Sequence, residues 1–365
     1  MSHSTISHDG VSHHPLGAGS YYCEDNPIEY LETLTQPDRP AIKIFVGAQP
    51  NSSTHIGNIM NMCTAFALAE ALTKRGNKVT VSMDLVDTAP TPEKSVVYDG
   101  VSYQRSLRLT KHSAKFEGDF LRILNRLHEV SGVDFELRKQ SEIMGGPGVS
   151  NILREIIANH DKLGAILEPR YKKLGLRSAC PKLGCGLADK HGITNQYRED
   201  SIIFCWPVHG SYTVSLLEET GVTALELNTP LRSLVRSLIF SRDTSVSWIQ
   251  VEGRDYAGFY TEQLLWRPLT GTCMPVVFYS PLILDWSGPK FPRVFMLSRR
   301  RINLSTSKVS HTSSAMPNIK SRVEISRKYT KLSRDGSRNR RSYFETIPSS
   351  RYTRNFNHYP TLLCE

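Results

Sequence analysis

The stretch "AIKIFVGAQPNSSTHIGN", residues 41–58, decides how this chain folds. "AIKIFVG" reads as a buried-type strand, and "AQPNSST" as the loop that leaves it. Pro50 stiffens the turn, while Ser52, Ser53 and Thr54 are residue types that cap a helix. From His55 the apolar residues recur at helical spacing as far as Gly76, which closes the helix. "NKVTVSMDLVD", 77–87, is again a strand, so 41–87 forms a βαβ unit with parallel strands.

The same alternation continues outward. Helices are expected over 116–132 and 150–167, and strands over 133–139, 244–253 and 275–285. Residues 171–215 interrupt it with Cys, Gly and Pro. The expected organisation is a Ser/His/Gly/Pro-rich disordered segment over 1–38 with a short helical stretch at 26–34, then catalytic halves at 39–170 and 216–290 flanking the insertion 171–215. The fold class is α/β, a Rossmann-like parallel sheet with an inserted Cys/His-rich subdomain. No internal repeat is visible.

A chain of 365 residues, 39% hydrophobic, has enough apolar content for a sizeable core. It contains no run of about 18 apolar residues to span a bilayer, and its His/Ser-rich start has no apolar signal-peptide region. The chain is therefore expected to be soluble and cytoplasmic, with no membrane partner. Seven cysteines, an odd number, argue for free thiols or metal ligands and against a disulfide framework. The formal charge of +10 is confined to one end: residues 299–365 hold 15 Lys/Arg and 4 Asp/Glu, whereas 1–298 hold 30 and 31.

In an open parallel sheet, ligands bind beyond the carboxyl ends of strands, where helix N-termini offer N–H groups to phosphate. The loop 48–58 lies in that place. Gly57 permits a close approach to backbone, and His55 can donate a hydrogen bond to developing phosphate charge. His55-Ile56-Gly57-Asn58 resembles the HIGH-type signature of class I aminoacyl-tRNA synthetases, most closely the archaeal-type lysyl and glutamyl/glutaminyl branches. The resemblance implies a synthetase-type sheet, an ATP-binding helix, and catalytic roles for His55 and Asn58. A second match, "WIQVEGRDYAGFYTEQ" at 248–263, resembles the strand and loop that touch adenosine. It implies close approach at Gly253, ribose contact at Asp255, and substrate contacts at Tyr256 and Glu262.

The third synthetase signature, KMSKS, is expected near Lys290 and is absent. "LDWSGPKFPRVFMLSRRR", 284–301, is where periodicity is lost and basicity begins. One nucleotide restored after the Lys290 codon lets Lys290 and the codons that follow it read Lys-Leu-Ser-Lys-Ser, a KMSKS-type loop. Residues 291–365 are thus expected to be an out-of-frame or disordered tail, the other reading being a genuine basic arm for RNA or nuclear targeting.

Taken as a set, "MDLVDTAP", "GVSYQRSL", "ELNTPLRSLVRSL", "GRDYAGFYTEQLLWRPL" and "LILDWSG" are similar to fungal arginine-containing cyclodipeptide synthases over residues 40–290. That resemblance implies use of arginyl-tRNA and a second amino-acid substrate to make a cyclo-Arg-Xaa diketopiperazine. Recognising arginine needs a carboxylate, for which Asp84, Asp87, Glu93 and Asp255 are candidates. Ser52 or Ser53 could accept an aminoacyl group or simply cap the helix. Arg105, Arg232 and Arg236 either meet the tRNA acceptor end or solvate a helix face. A class I synthetase and an inactive pseudo-synthetase are the competing readings. The oligomeric state is not legible.

Within the insertion, Cys180-x4-Cys185 is followed by Cys205-x3-His209, two ligand pairs on Gly/Pro-containing segments. This is the residue set of a structural tetrahedral Zn2+ site, with His191 as a spare candidate. Cys23, Cys63, Cys273 and Cys364 show no pairing pattern, and Cys63, inside the first helix, is expected in the core.

Overall fold

The computed structural model describes residues 27–35, 38–110, 112–256, 276–281 and 283. Glu262, Lys290 and the tail 291–365 lie outside the described residues, as do residues 1–26, 36 and 37 of the segment expected to be disordered. The central sheet has five parallel strands: β1 (Ile42–Ala48), β2 (Val79–Leu85), β3 (Phe135–Lys139), β4 (Ser247–Gly253) and β5 (Val276–Ser280). Their order is β5-β4-β1-β2-β3. Strand succession reverses between β1 and β4, which makes the carboxyl ends of those two strands the switch point where an open α/β sheet forms its ligand crevice.

Alternation along β1 assigns the two faces. Ile44 and Val46 point into a core with Phe66, Leu72 and Leu124, whereas Phe45 points the other way to Phe240, Val246 and Trp248. The first core lies beneath helix α2 (Ile56–Lys74), helix α3 (Ala114–Ser131) and the short α1 (Pro27–Leu34), whose Leu31 is fully buried. Helix α2 has no single apolar stripe, because Met60, Met62, Cys63, Ala65, Phe66, Ala69 and Leu72 around its circumference are all buried. That is the pattern of a helix enclosed by its neighbours. It ends in Arg75 and Gly76, the latter at φ +94°, a left-handed conformation that costs glycine little.

The helix expected over 150–167 is broken into α4 (Val149–Ala158) and α5 (His160–Leu167). The cause is Asn159: its Nδ2 donates to the Glu155 carbonyl at 3.0 Å, and its own N–H turns back to Ile156. An asparagine that bonds its local backbone competes with the helical ladder. Helix α6 (Thr229–Arg242) covers the other face of the sheet, capped by Asn228, whose Oδ1 accepts from the Leu231 N–H at 3.1 Å, with Pro230 in its first turn. Phe240 of α6 stacks on Trp248 of β4 at 3.9 Å between ring centroids.

The Cys-containing region forms small antiparallel sheets. One joins 196–198, 201–206 and 210–215, and another joins 188–189 to the hairpin 96–104. A third pairs 176–178 with 225–227. The subdomain therefore draws strands from both sides of 171–215. It is anchored by a buried ion cluster: Arg177, 1% exposed, donates to Glu226, and Arg108 Nε reaches the same carboxylate at 3.0 Å. No helix among the described residues is long and apolar enough to cross a membrane.

Candidate functional site

A cleft of about 210 Å³ opens at the switch point. Its floor is the end of β1 at Gly47 and Ala48. His55, Gly57 and Asn58 enter from the start of α2, and Gly253, Asp255 and Tyr256 from the end of β4. The two sequence signatures, far apart along the chain, thus line one cavity.

His55 is itself the N-cap of α2, with extended backbone (φ −92°, ψ 165°). Its Nδ1 accepts the N–H of Asn58 at 3.3 Å. The expectation that Ser52, Ser53 or Thr54 caps this helix is corrected: Ser52 Oγ donates to the Ser53 carbonyl at 3.3 Å, and Thr54 is buried. Because Nδ1 acts as acceptor, the neutral ring carries its proton on Nε2, where it is a donor. Gly57 leaves room for the ring in the same arrangement. A Cβ at residue 57 would stand 3.1 Å from His55 Cε1 and 3.2 Å from Nδ1, so any side chain there presses on the imidazole.

The end of β4 shows a comparable fit. A Cβ on Gly253 would come within 2.6 Å of Asp255 Oδ1, so the bare backbone lets that carboxylate fold back over the strand end. The 3-10 turn Arg254–Tyr256 carries Asp255 and Tyr256 to the cleft. Ser280 at the end of β5 donates to Asn61 of α2, both in the lining, and ties the third wall.

The carboxylates proposed to recognise arginine divide sharply. Asp84 is fully buried and does not line the cleft. Arg138 Nε donates to its Oδ1 at 2.9 Å and Arg236 Nε lies 3.5 Å from its Oδ2. Burial holds its carboxyl above the ordinary range against the pull of both guanidiniums, and burial likewise lowers Arg236. Asp87 accepts both the N–H and the hydroxyl of Ser141, at 3.0 and 2.5 Å, and also lies outside the lining. Glu93 is exposed and outside it as well. Only Asp255 of the four lines the cleft, where it is joined by Glu252, which the sequence reading missed. The available signal for Glu252 was its position one residue before the close-approach glycine, at a strand's carboxyl end.

Ser52 lines the cleft and Ser53 does not. Arg232 and Arg236, four residues apart on α6, are 5% and 6% exposed and also line the cleft, so neither solvates a helix face. Arg232 bonds the Leu227 carbonyl at 3.2 Å and Thr229 Oγ1 at 3.1 Å. Arg236 bonds Gln140 Oε1 at 2.5 Å and its guanidinium lies 4.4 Å from the Phe45 ring centroid. Arg105 instead donates to the carbonyls of Cys185 and Gly184, at 2.9 and 3.2 Å. The cleft lining brings Arg232 and Arg236 of α6 together with Glu252 and Asp255 at the end of β4, and Arg236 feels the charge of both Asp84 and Glu252. The cleft suits a ligand bearing both charge signs.

Of the four metal-ligand candidates, Cys180, Cys185 and His209 come together with donor atoms within 4.8 Å of one another. Cys205 is not in that group. Strand alternation is the reason: Trp206 packs with Cys180, and the adjacent Cys205 points to the opposite face, where Ser211 Oγ lies 3.5 Å from its sulfur. His191 is also outside the group, its ring 4.4 Å from that of Tyr171. Cys63 is in the core, as expected.

No family model matches the chain, and no curated protein matches it. Among solved structures it is similar to a glutamate tRNA ligase from Elizabethkingia meningosepticum, with 12% identity, TM-score 0.34, and 68% of this chain and 51% of that one covered. It is also similar to tryptophanyl-tRNA synthetase of Plasmodium falciparum (14%, TM-score 0.35, 69% and 51% covered) and to tyrosyl-tRNA synthetase of Archaeoglobus fulgidus (12%, TM-score 0.36, 72% and 62% covered). This chain spans between 51% and 62% of the length of those structures. At such scores the likeness carries neither fold nor chemistry, both of which rest on the strand order and the cleft described above.

Proposed function

We propose that this chain is an aminoacyl-tRNA-dependent cyclodipeptide synthase that joins arginine, delivered as arginyl-tRNA, to a second amino acid. The observation that carries the reading is the convergence of His55–Asn58 and Gly253–Tyr256 on one cleft, with Glu252 and Asp255 there to meet a guanidinium or an α-ammonium group. The helix N-terminus and His55 Nε2–H are suited to oxygens of the terminal ribose or an acyl carbonyl as negative charge develops. Arg232 and Arg236 place guanidinium groups in the lining of the same cleft.

With both residues held as esters, the α-amine of one attacks the carbonyl carbon of the other. A C–N bond forms, the ester C–O bond breaks, and the ribose hydroxyl leaves with the proton. The remaining α-amine of the dipeptidyl ester then attacks its own ester carbonyl in the same sense, closing the six-membered ring and releasing the second ribose hydroxyl. No net oxidation or external activation is required. The enzyme's part is to hold amine and carbonyl in attack geometry. ATP has a role only in the competing reading, in which the cleft activates an amino acid as its adenylate.

The test is expression in a heterologous host, in the frame given and with one nucleotide restored after codon 290, with mass spectrometry of the medium. A cyclic dipeptide containing arginine, whose formation in lysate stops on RNase treatment, is the expected result. Amino-acid-dependent pyrophosphate exchange without such a product would replace this reading by that of a synthetase.

A further inference from the structure

The insertion holds a second constellation, remote in sequence from either signature. Cys180 and Cys185 sit on a knuckle: the Cys180 N–H bonds the Leu187 carbonyl at 2.9 Å and the Cys185 N–H bonds the Lys182 carbonyl at 3.0 Å. Gly184 and Gly186 turn through left-handed φ values of +79° and +65°, conformations that favour glycine. The Arg105 guanidinium clamps the carbonyls of Gly184 and Cys185 from outside. His209 lies in the turn between strands 201–206 and 210–215, and its Nδ1 is 3.2 Å from Cys180 Sγ. Two sulfurs and one imidazole nitrogen are thus gathered on elements held independently by backbone bonds.

We propose that Cys180, Cys185 and His209 bind one zinc ion through three protein ligands, with Cys205 taking no part. Two thiolates and a neutral imidazole form a soft donor set that selects zinc among common divalent ions, and the two negative charges balance the metal's. Of the three ligands His209 is exposed, so the cluster is open to solvent on that side. Binding displaces the two thiol protons and ties the hairpin turn to the knuckle, so the ion contributes to folding of this subdomain. Nothing in this assignment depends on the chemistry of the β1/β4 cleft.

Zinc in the purified full chain should be released by a mercurial thiol reagent at about one equivalent, read with a chromogenic chelator. Cobalt substitution should give the near-ultraviolet charge-transfer band and visible bands of a tetrahedral ion with two thiolates. Cys205→Ser should keep both the equivalent and the spectrum, whereas Cys185→Ser and His209→Ala lose the metal. Should those two fail to fold, alkylation of the unaltered chain decides: Cys180 and Cys185 should resist iodoacetamide until a chelator is added, while Cys205 reacts at the same rate either way. Absence of metal, a Cys180–Cys185 disulfide in the freshly purified protein, or loss of the ion in Cys205→Ser would each overturn the site.

Discussion

His55 Nδ1 accepts the backbone N–H of Asn58 at 3.3 Å, so one side chain in the cleft lining caps helix α2 and, in the neutral ring, keeps the proton on Nε2. These two duties can be separated. Asparagine caps helices well but cannot present the distal N–H, and alanine does neither. His55→Asn should therefore leave thermal stability close to that of the parent while activity falls on the order of 10²–10³-fold, as when one donor to a developing oxyanion is removed. His55→Ala should lose activity similarly and in addition about 1 kcal/mol of stability. Denaturant unfolding beside product yield reads both quantities.

Gly57→Ala tests the contact that holds the ring. Alanine is the better helix former by about 1 kcal/mol, so the helix itself should not suffer. Its Cβ, 3.1 Å from His55 Cε1, requires the imidazole to shift by a few tenths of an ångström. The expected outcome is a stable protein with activity reduced at least tenfold; unchanged activity would show that the position of the ring is not critical.

Asp255→Asn and Glu252→Gln should weaken use of arginine more than use of the second amino acid, since each removes a carboxylate from the cleft. Asp84→Asn should act through stability instead, because that carboxylate is held by Arg138 and Arg236 inside the fold. Competition between labelled amino acids in the products separates the two behaviours.

Glu226→Gln removes the charge shared by Arg177 and Arg108. Arg177 is 1% exposed and has no route to water without opening the subdomain. Breaking a buried pair on one side costs about 3–5 kcal/mol, so this variant should unfold at clearly lower denaturant than the parent.

The acid limb of stability should include Asp243. Burial pushes its carboxyl up, but hydrogen bonds from the Ser245 hydroxyl and N–H and from Trp248 Nε1 outweigh it and leave the pKa below the ordinary value. A depressed carboxyl stabilises the fold above its unfolded value, about 3.9, and that contribution is lost as pH falls through the folded value. Asp243→Asn should thus be less stable than the parent at pH 7, with the difference shrinking below about pH 4. Thermal unfolding from pH 2 to 7 measures it.

Local order was legible where it depends on residues near one another in the chain. The apolar run 41–47, the turn at Pro50 and the helical period from His55 to Gly76 specify β1, its loop and α2, because hydrophobic spacing and capping act over a few residues. Charge bookkeeping likewise located the basic tail without any coordinates. Three things were decided by tertiary structure. Pairing of β4 beside β1 is a non-local choice that periodicity does not encode, and it alone brings Gly253 and Asp255 opposite His55. The fate of each carboxylate followed from its neighbours: Asp84 meets Arg138 and Arg236 inside the sheet, whereas Glu252, near the carboxyl end of β4, lines the cleft. Cys205 was excluded from the cysteine cluster by the two-residue alternation of a strand whose existence the ligand spacing did not reveal. Sequence period tells a residue which face it occupies, but what lies across from that face is set by long-range pairing and by the burial that pairing creates.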